Sequence, residues 1–147
     1  MTTIAWDGRK LASDSLSTSG NMKLSGEFVK IKRIGRYRIA FTGEHAPALQ
    51  FFKKHLEDEM TFGQFEFNSI SPSNDDFSLL VIEDDKKTCM VFNSTSGYWD
   101  EFHPPISIGS GSKYALGSMY SGCDAVKAVE VACKLDTHSD LPVYVEE

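Results

Sequence analysis

The sequence predicts an α+β protein in which two antiparallel sheets pack together and helices lie outside them. Segments with the composition of strands fall into two groups, separated by one helical segment and followed by two more. The regular alternation of strands and helices that is typical of a doubly wound parallel sheet is absent. The length of 147 residues fits a single domain, which we expect to span residues 1–147.

The chain opens with a predicted β-hairpin. Residues 3–6 and 10–13 read as short strands, and Asp7-Gly8 lies between them. Asp-Gly is a strong hairpin signal because both central residues of the favoured two-residue turn have positive φ.

A second strand pair follows a polar stretch that spans residues 15–26. Residues 28–34 alternate between apolar and basic side chains, which is the period of a strand with two different faces. Gly35 marks a turn, and residues 37–41 form the next predicted strand.

A helix is predicted over residues of about 45–60, because apolar side chains recur there at helical spacing and Pro47 is tolerated in a first turn. Residues 61–76 contain glycine, proline and a cluster of serine and asparagine, with aromatic side chains but no sustained period. We interpret this second segment as a loop or a degraded element.

The second group of strands comes next. Residues 77–82 and 88–92 form a predicted hairpin around the acidic turn at residues 83–85, and two shorter strands are indicated at residues 98–99 and 106–108. The order of these segments favours antiparallel pairing of neighbours along the chain.

Two helices are predicted after the second group of strands. The first spans residues 114–120. The second is capped by Asp124 and carries one apolar stripe to about Leu135.

Composition and charge exclude several classes of protein. Fifteen Lys and Arg against 21 Asp and Glu give a net charge of -6, which argues against general affinity for nucleic acid or anionic membranes. No apolar run approaches the length of a membrane span, and no signal peptide is evident at the start of the chain, so we expect a cytoplasmic protein. The three cysteines form no CxxC pair, and we interpret them as reduced core residues.

No motif for a cofactor or a metal is present. The segment Gly109-Ser110-Gly111-Ser112-Lys113 lacks the spacing of both phosphate-loop motifs. The four histidines do not have the spacing of a metal site, and there is no GxSxG elbow for a serine nucleophile. We therefore expect neither a cofactor nor a metal.

The N-terminus carries a candidate nucleophile. Thr2 follows Met1 directly, and a small second residue is what methionine aminopeptidases require. A threonine at a free N-terminus carries its own base, because its α-amino group has a pKa of about 7.7–8.0 and can take the proton of its own hydroxyl.

Six segments in a fixed order strengthen this interpretation. The segments are Thr2-Thr3-Ile4, Ala12-Ser13-Asp14-Ser15, Phe28-Val29-Lys30-Ile31-Lys32-Arg33, Phe41-Thr42-Gly43, Ile108-Gly109-Ser110-Gly111-Ser112 with Tyr114-Ala115, and Asp136-Thr137-His138-Ser139. Together they resemble the proteasome β-subunit and HslV peptidase family of N-terminal nucleophile hydrolases. The acid and the lysine of the match, Asp14 and Lys30, keep the separation of 16 residues that the family keeps.

The resemblance implies a role for seven residues. Thr2 matches the nucleophile, Asp14 and Lys30 match the charged pair beneath it, and Gly43 matches the oxyanion-hole glycine. The remaining three match the group around the terminal amine: Ser110, Asp136 and Ser139.

The resemblance also implies a fold and an activity. The fold is the four-layer αββα sandwich of N-terminal nucleophile hydrolases, here with a reduced helix layer because one helix is evident where longer family members have two. The activity is threonine-type hydrolysis of peptides or unfolded proteins within a homo-oligomeric ring, with an ATP-dependent unfoldase as a further partner. Two alternatives stay open: a catalytically silent assembly subunit that retains Met1, and an amidohydrolase acting on a small molecule.

Two residues depart from the family pattern. Glu44 stands where the second glycine of the usual pair would be, and Asp140 follows Ser139 where glycine is common. The geometry of the loops near the oxyanion and amine sites is therefore left open by the sequence.

Overall fold

The structure is a computed structural model that describes residues 2–19, 22–25, 29–43 and 77–147. These residues form eleven β-strands and two α-helices. The strands are β1 (Thr3–Trp6), β2 (Leu11–Ser13), β3 (Ser17–Ser19), β4 (Met22–Ser25), β5 (Ile31–Ile34), β6 (Tyr37–Gly43), β7 (Phe77–Glu83), β8 (Cys89–Asn93), β9 (Tyr98–Phe102), β10 (Ile106–Gly109) and β11 (Tyr144–Glu146). The helices are α1 (Ser112–Tyr120) and α2 (Ala125–Leu135).

The strands form two main sheets, and every pairing among the described strands is antiparallel. The first sheet has the order β10-β1-β2-β11, and the second has the order β5-β6-β7-β8-β9. Strands β3 and β4 pair with each other as a separate ribbon. This arrangement confirms the predicted α+β sandwich with two antiparallel sheets.

The alternation of side chains along β1 places it between two hydrophobic layers. Ile4 and Trp6 point to the second sheet, whereas Ala5 points to the helices. The layer between the sheets contains Ile4, Trp6, Leu11, Ile31, Ala40, Leu80, Ile82 and Cys89. The layer beneath the helices contains Ala5, Ala12, Ala115, Met119, Ala125, Ala128, Val129 and Ala132, and its small side chains let the helices approach the sheet closely.

A third buried cluster lies on the other face of the second sheet. It contains Tyr37, Ile39, Phe77, Leu79, Val81, Phe92 and Trp99. The second sheet is therefore buried on both faces. The helix predicted over residues 45–60 and the loop predicted over residues 61–76 lie outside the described residues.

The predicted opening hairpin is confirmed, because β1 pairs antiparallel with β2 around Asp7 and Gly8. Gly8 has a φ of 103°, whereas Asp85 is the one non-glycine residue with positive φ in the described parts of the chain. Asp7 closes the turn with its side chain. One carboxylate oxygen accepts the backbone N–H groups of Arg9 and Lys10, both at 2.8 Å. The other accepts the N–H of Ala125 at 2.8 Å and so ties the turn to the start of α2.

Three strands are absent from the prediction. Strands β3 and β4 lie in the polar stretch over residues 15–26, and β11 is a short strand at the end of the chain. These segments lack an apolar period, so the sequence gives no clear strand signal for them; β3 and β4 pair with each other, and β11 pairs with β2 at the other end of the chain. The predicted strand over residues 28–34 begins later, at Ile31.

The helices and the cysteines agree with prediction in part. Helix α1 begins two residues before its predicted start, and Asp124 caps α2 by accepting the N–H of Lys127 at 2.9 Å. All three cysteines are free, but Cys89 alone lies in the buried core, because Cys123 and Cys133 are half-buried. Among the residues that the structure describes, no helix is long and apolar enough to cross a membrane.

Candidate active site

A buried ion pair lies at one end of the first sheet. Thr2 precedes β1 and Asp14 follows β2, so the antiparallel pairing brings both to the same end. Lys30 precedes β5 and enters from the second sheet. Its Nζ donates to Asp14 Oδ1 and to Thr2 Oγ1, at 2.9 Å in both cases. The hydroxyl of Thr2 is therefore in direct contact with a paired ammonium group.

The carboxylate of Asp14 is held by the backbone as well as by Lys30. Its Oδ1 accepts the N–H of Thr3 at 3.0 Å, and its Oδ2 accepts the N–H groups of Leu16 and Asp140, both at 3.2 Å. A fully buried carboxylate needs such donors in place of its lost hydration. Asp14 is therefore kept in one position beneath the lysine.

The surroundings change the acidity of Lys30. Burial lowers the pKa of Lys30 below its ordinary value of 10.5, because the charged form loses hydration, and the charge of Asp14 opposes this fall in part. An ammonium group with a lowered pKa holds its proton less tightly than a lysine on the surface. Its charged form is still the one that can stabilise a negative oxygen on Thr2.

A second set of polar groups surrounds the backbone nitrogen of Thr2. The N–H of Thr2 donates to Ser110 Oγ at 3.2 Å. Asp136 Oδ2 accepts from the hydroxyls of Ser110 and Ser139, each at 2.6 Å. Burial acts to raise the pKa of Asp136, but these hydrogen bonds outweigh it and hold the pKa below the ordinary value of 3.8. Asp136 is therefore a carboxylate that orients two hydroxyls.

The fold explains why residues so distant in sequence meet here. Strand β10 pairs with β1 in the register that places Gly109 opposite Thr3, so Ser110 follows directly beside Thr2. Helix α2 packs on β1 and β2, and Asp136 ends that helix. A Cβ on Gly109 would overlap the carbonyl of Thr2, so only glycine permits this close approach.

The structure brings six of the seven predicted residues into one hydrogen-bonded cluster, which we call the Thr2 cluster. Its members are Thr2, Asp14, Lys30, Ser110, Asp136 and Ser139. Gly43 makes none of these hydrogen bonds. Gly43 is the last residue of β6 and has a φ of 96°. At the same end of the second sheet, the N–H of Phe41 donates to the carbonyl of Lys30. Glu44, the departure next to it, lies outside the described residues.

Two further residues contact the Thr2 cluster, and the sequence analysis assigned neither of them a role. The Thr3 hydroxyl lies 2.7 Å from Ser139 Oγ. The backbone of Asp140 contacts the segment after β2 twice, through its N–H to Asp14 and through its carbonyl, which accepts the N–H of Ser15 at 3.0 Å. The position of Thr3 next to Thr2 on an alternating strand could have identified Thr3 from the sequence. The contacts of Asp140 are made by its backbone, so its residue type gives no signal.

An open depression lies beside the Thr2 cluster. It has a volume of 260 Å³ and is lined by residues between Cys133 and Asp140.

No group of three or more His, Cys, Asp or Glu in the described part of the chain is arranged to hold a metal ion.

Comparisons with known proteins point to a fold and not to a named family. No protein-family model matches the sequence, and no curated protein matches it. A solved structure of Thiobacillus denitrificans BPH is similar, with a TM-score of 0.69 and 23% identity, over 99% of this chain and 97% of that chain. A structure of Thiobacillus denitrificans BPH in complex with epoxomicin is also similar over 99% of this chain and 97% of that chain, with a TM-score of 0.68 and 22% identity. At this identity the similarity shows a shared fold over nearly the whole of both chains.

Proposed function

We propose that this chain is a threonine-type peptidase of the proteasome β-subunit and HslV type, in which Thr2 becomes the nucleophile once Met1 has been removed. The observation that carries the proposal is the position of the Thr2 hydroxyl, 2.9 Å from a buried ammonium group that is itself paired with a carboxylate. Burying an ion pair is costly, so a buried pair in contact with a hydroxyl favours a chemical role.

The first half of the reaction uses the two ends of Thr2. Removal of Met1 leaves a free α-amine, which takes the proton of the Thr2 hydroxyl while Lys30 stabilises the oxygen. That oxygen forms a bond to the substrate carbonyl carbon. The resemblance implies that the negative oxygen that results accepts the N–H of Gly43.

The second half restores the enzyme. The carbon–nitrogen bond of the substrate breaks, the leaving amine takes the proton from the α-amine, and an ester on Thr2 remains. Water then attacks the ester, giving up one proton to the α-amine, and the carboxyl product leaves as the Thr2 oxygen regains that proton. Ser110 accepts a hydrogen bond from the nitrogen of Thr2 throughout, so the lone pair of that nitrogen stays directed at the Thr2 hydroxyl.

The comparison structures support the choice of reaction. They share the fold over nearly the whole chain, and one of them is a complex with epoxomicin. We therefore expect epoxomicin to inhibit peptide hydrolysis by the processed protein.

The test is peptide hydrolysis by protein whose intact mass shows the loss of one Met residue. We expect Thr2→Ala to abolish hydrolysis of fluorogenic peptides, because alanine still permits removal of Met1 but supplies no hydroxyl. Thr88→Ala is the matched control, since Thr88 bonds to Glu101 on the surface, and it should retain wild-type activity.

Each other outcome favours a different function. Equal activity in wild type and Thr2→Ala overturns the proposal. Retained Met1 with no hydrolysis favours the silent assembly subunit. Hydrolysis that depends on Thr2 but is confined to small amides favours the amidohydrolase.

A further inference from the structure

Thr3 is a fully buried polar side chain that the proposed reaction does not use. It lies on β1, and strand alternation directs its side chain away from that of Thr2 and towards the helix layer. Its hydroxyl lies 2.7 Å from Ser139 Oγ. A Cβ on Gly111 would overlap this hydroxyl, so the glycine leaves the room that Thr3 occupies.

The directions of the hydrogen bonds follow from counting protons. Asp136 Oδ2 accepts only, so the single proton of Ser139 is committed to it at 2.6 Å. The contact between Thr3 and Ser139 is then a hydrogen bond only if Thr3 is the donor. Ser110 commits its proton to Asp136 in the same way, since the carboxylate at 2.6 Å is a closer and stronger acceptor than the Thr2 carbonyl at 3.3 Å.

The protons of these hydrogen bonds therefore point towards Asp136 from two sides. On one side Thr3 donates to Ser139, which donates to the carboxylate. On the other side the N–H of Thr2 donates to Ser110, which donates to the same oxygen. Ser110 can consequently act only as an acceptor towards the nitrogen of Thr2, which leaves the lone pair of a free amine available for the Thr2 hydroxyl.

We propose that Thr3 is a positioning residue whose hydroxyl, by donating to Ser139, holds the Asp136 carboxylate in the orientation that keeps Ser110 accepting from the nitrogen of Thr2. The catalytic part of this inference rests on the proposed function. The hydrogen bond from Thr3 to Ser139 does not rest on the proposed function, because it belongs to the folded chain without substrate. Thr3 is buried and touches no substrate.

Several charged or titratable groups besides the hydroxyls act on Asp136. His138 favours its ionised form, and Asp136 in turn acts on Lys30 and Cys133 across the cluster. The N–H of His138 also donates to Asp136 Oδ1 at 3.3 Å. A test must therefore change the Thr3 hydroxyl without changing any of these charges.

The first measurement is the titration of the Asp136 carboxyl carbon by NMR, assigned by the loss of its signal in Asp136→Asn. Thr3→Val keeps the shape of the side chain and removes its donor. We expect the titration midpoint of Asp136 to rise by about half a pH unit to one pH unit in Thr3→Val. Thr3→Ser should restore the wild-type midpoint. Ser107→Ala is the matched control. The Ser107 hydroxyl donates to the carbonyl of Ile4, which lies on β1 like Thr3, and its loss should leave the Asp136 midpoint unchanged.

A double-mutant cycle tests the path through Ser139. We expect Thr3→Val to raise the Asp136 midpoint in the wild-type background and to have no further effect in Ser139→Ala. Unchanged midpoints in Thr3→Val, or equal effects in both backgrounds, overturn the proposal. Thermal unfolding of each variant followed by circular dichroism confirms that the compared proteins are folded.

The second measurement is peptide hydrolysis by the processed protein. We expect Thr3→Val to lower kcat by about fivefold to tenfold with KM unchanged, and Thr3→Ser to restore kcat. A change in KM alone overturns the positioning role. A wild type that hydrolyses no peptide overturns the proposed function instead, and the titration of Asp136 still decides the bond from Thr3.

Discussion

At the scale of single residues, the central feature is the pair of Asp14 and Lys30. Their side chains are almost completely buried, and the nearest charged atoms lie 2.9 Å apart. Three backbone N–H groups complete the shell of the carboxylate, which offsets part of the cost of burying it. Burial lowers the pKa of Lys30 below 10.5, and the neighbouring charge of Asp14 opposes this fall in part.

The lowered pKa of Lys30 predicts the pH dependence of hydrolysis. The rate should rise as the α-amine of Thr2 loses its proton, near a pKa of about 8, and fall as Lys30 loses its proton at a pH below 10.5. Asp14→Asn removes the charge that raises the pKa of Lys30, so the falling limb should move to lower pH. The measurement is kcat/KM of the processed protein over about pH 5 to 11. A falling limb unmoved in Asp14→Asn contradicts this assignment.

Lys30 has a matched control in the same strand region. Lys32 is exposed, whereas Lys30 is buried. Lys30→Ala should lower kcat by about 100-fold or more, and Lys32→Ala should leave it within about twofold. Similar losses in the two variants would indicate that Lys30 acts as an ordinary strand residue.

At the scale of elements, the connection from β10 to α1 decides where the Thr2 cluster forms. Gly109 has a φ of 101° and lies against the Thr2 carbonyl. The N–H of Gly111 donates to that same carbonyl at 3.3 Å. Two glycines therefore let the chain bring Ser110 onto β1, and a side chain at either position would push the connection away.

Two glycine substitutions test this close approach. In Gly111→Ala the new methyl group would overlap the Thr3 hydroxyl and press on Ala132 and Asp136. We expect a loss of about 1–3 kcal/mol in the free energy of unfolding, measured with urea. Gly117→Ala is the control, because a methyl group there meets nothing within 4 Å inside α1, and it should increase the free energy of unfolding by about 0.5–1 kcal/mol. Equal effects of the two substitutions would contradict the close packing at Gly111.

At the scale of the whole molecule, the Thr2 cluster lies where three layers meet. The second sheet contributes Lys30, the first sheet contributes Thr2 and Asp14, and the helix layer contributes Asp136. The cluster is held by hydrogen bonds that join residues up to 136 positions apart. Unfolding of any one layer would therefore separate the groups that the proposed reaction needs.

The resemblance to self-compartmentalised peptidases leads us to propose a homo-oligomeric ring. The aromatic residues Phe62, Phe65 and Phe67 would suit a contact surface between copies of the chain, and they lie outside the described residues. We expect multi-angle light scattering at micromolar concentration to give several times the chain mass of 16.4 kDa. A mass near that of one chain contradicts assembly but leaves the proposed chemistry of Thr2 intact.

The sequence by itself determined the elements whose signals are local. The turn at Gly8, the cap at Asp124 and the apolar stripe of α2 act over a few residues, so composition and spacing predict them. The separation of Asp14 and Lys30 and the order of the motifs also identified, through the family resemblance, the residues that the structure places around Thr2.

The tertiary structure decided what depends on register and packing. Strand β11 forms because β2 offers it an edge, and Asp7 Oδ2 accepts the N–H of Ala125 and so joins the first turn to the start of α2. The direction of the hydrogen bond from Thr3 follows from one carboxylate that accepts from two hydroxyls at 2.6 Å. The contacts of Thr2 with Ser110 and of Thr3 with Ser139 join residues over 100 positions apart, and no local pattern encodes them, because backbone pairing and layer packing set those distances.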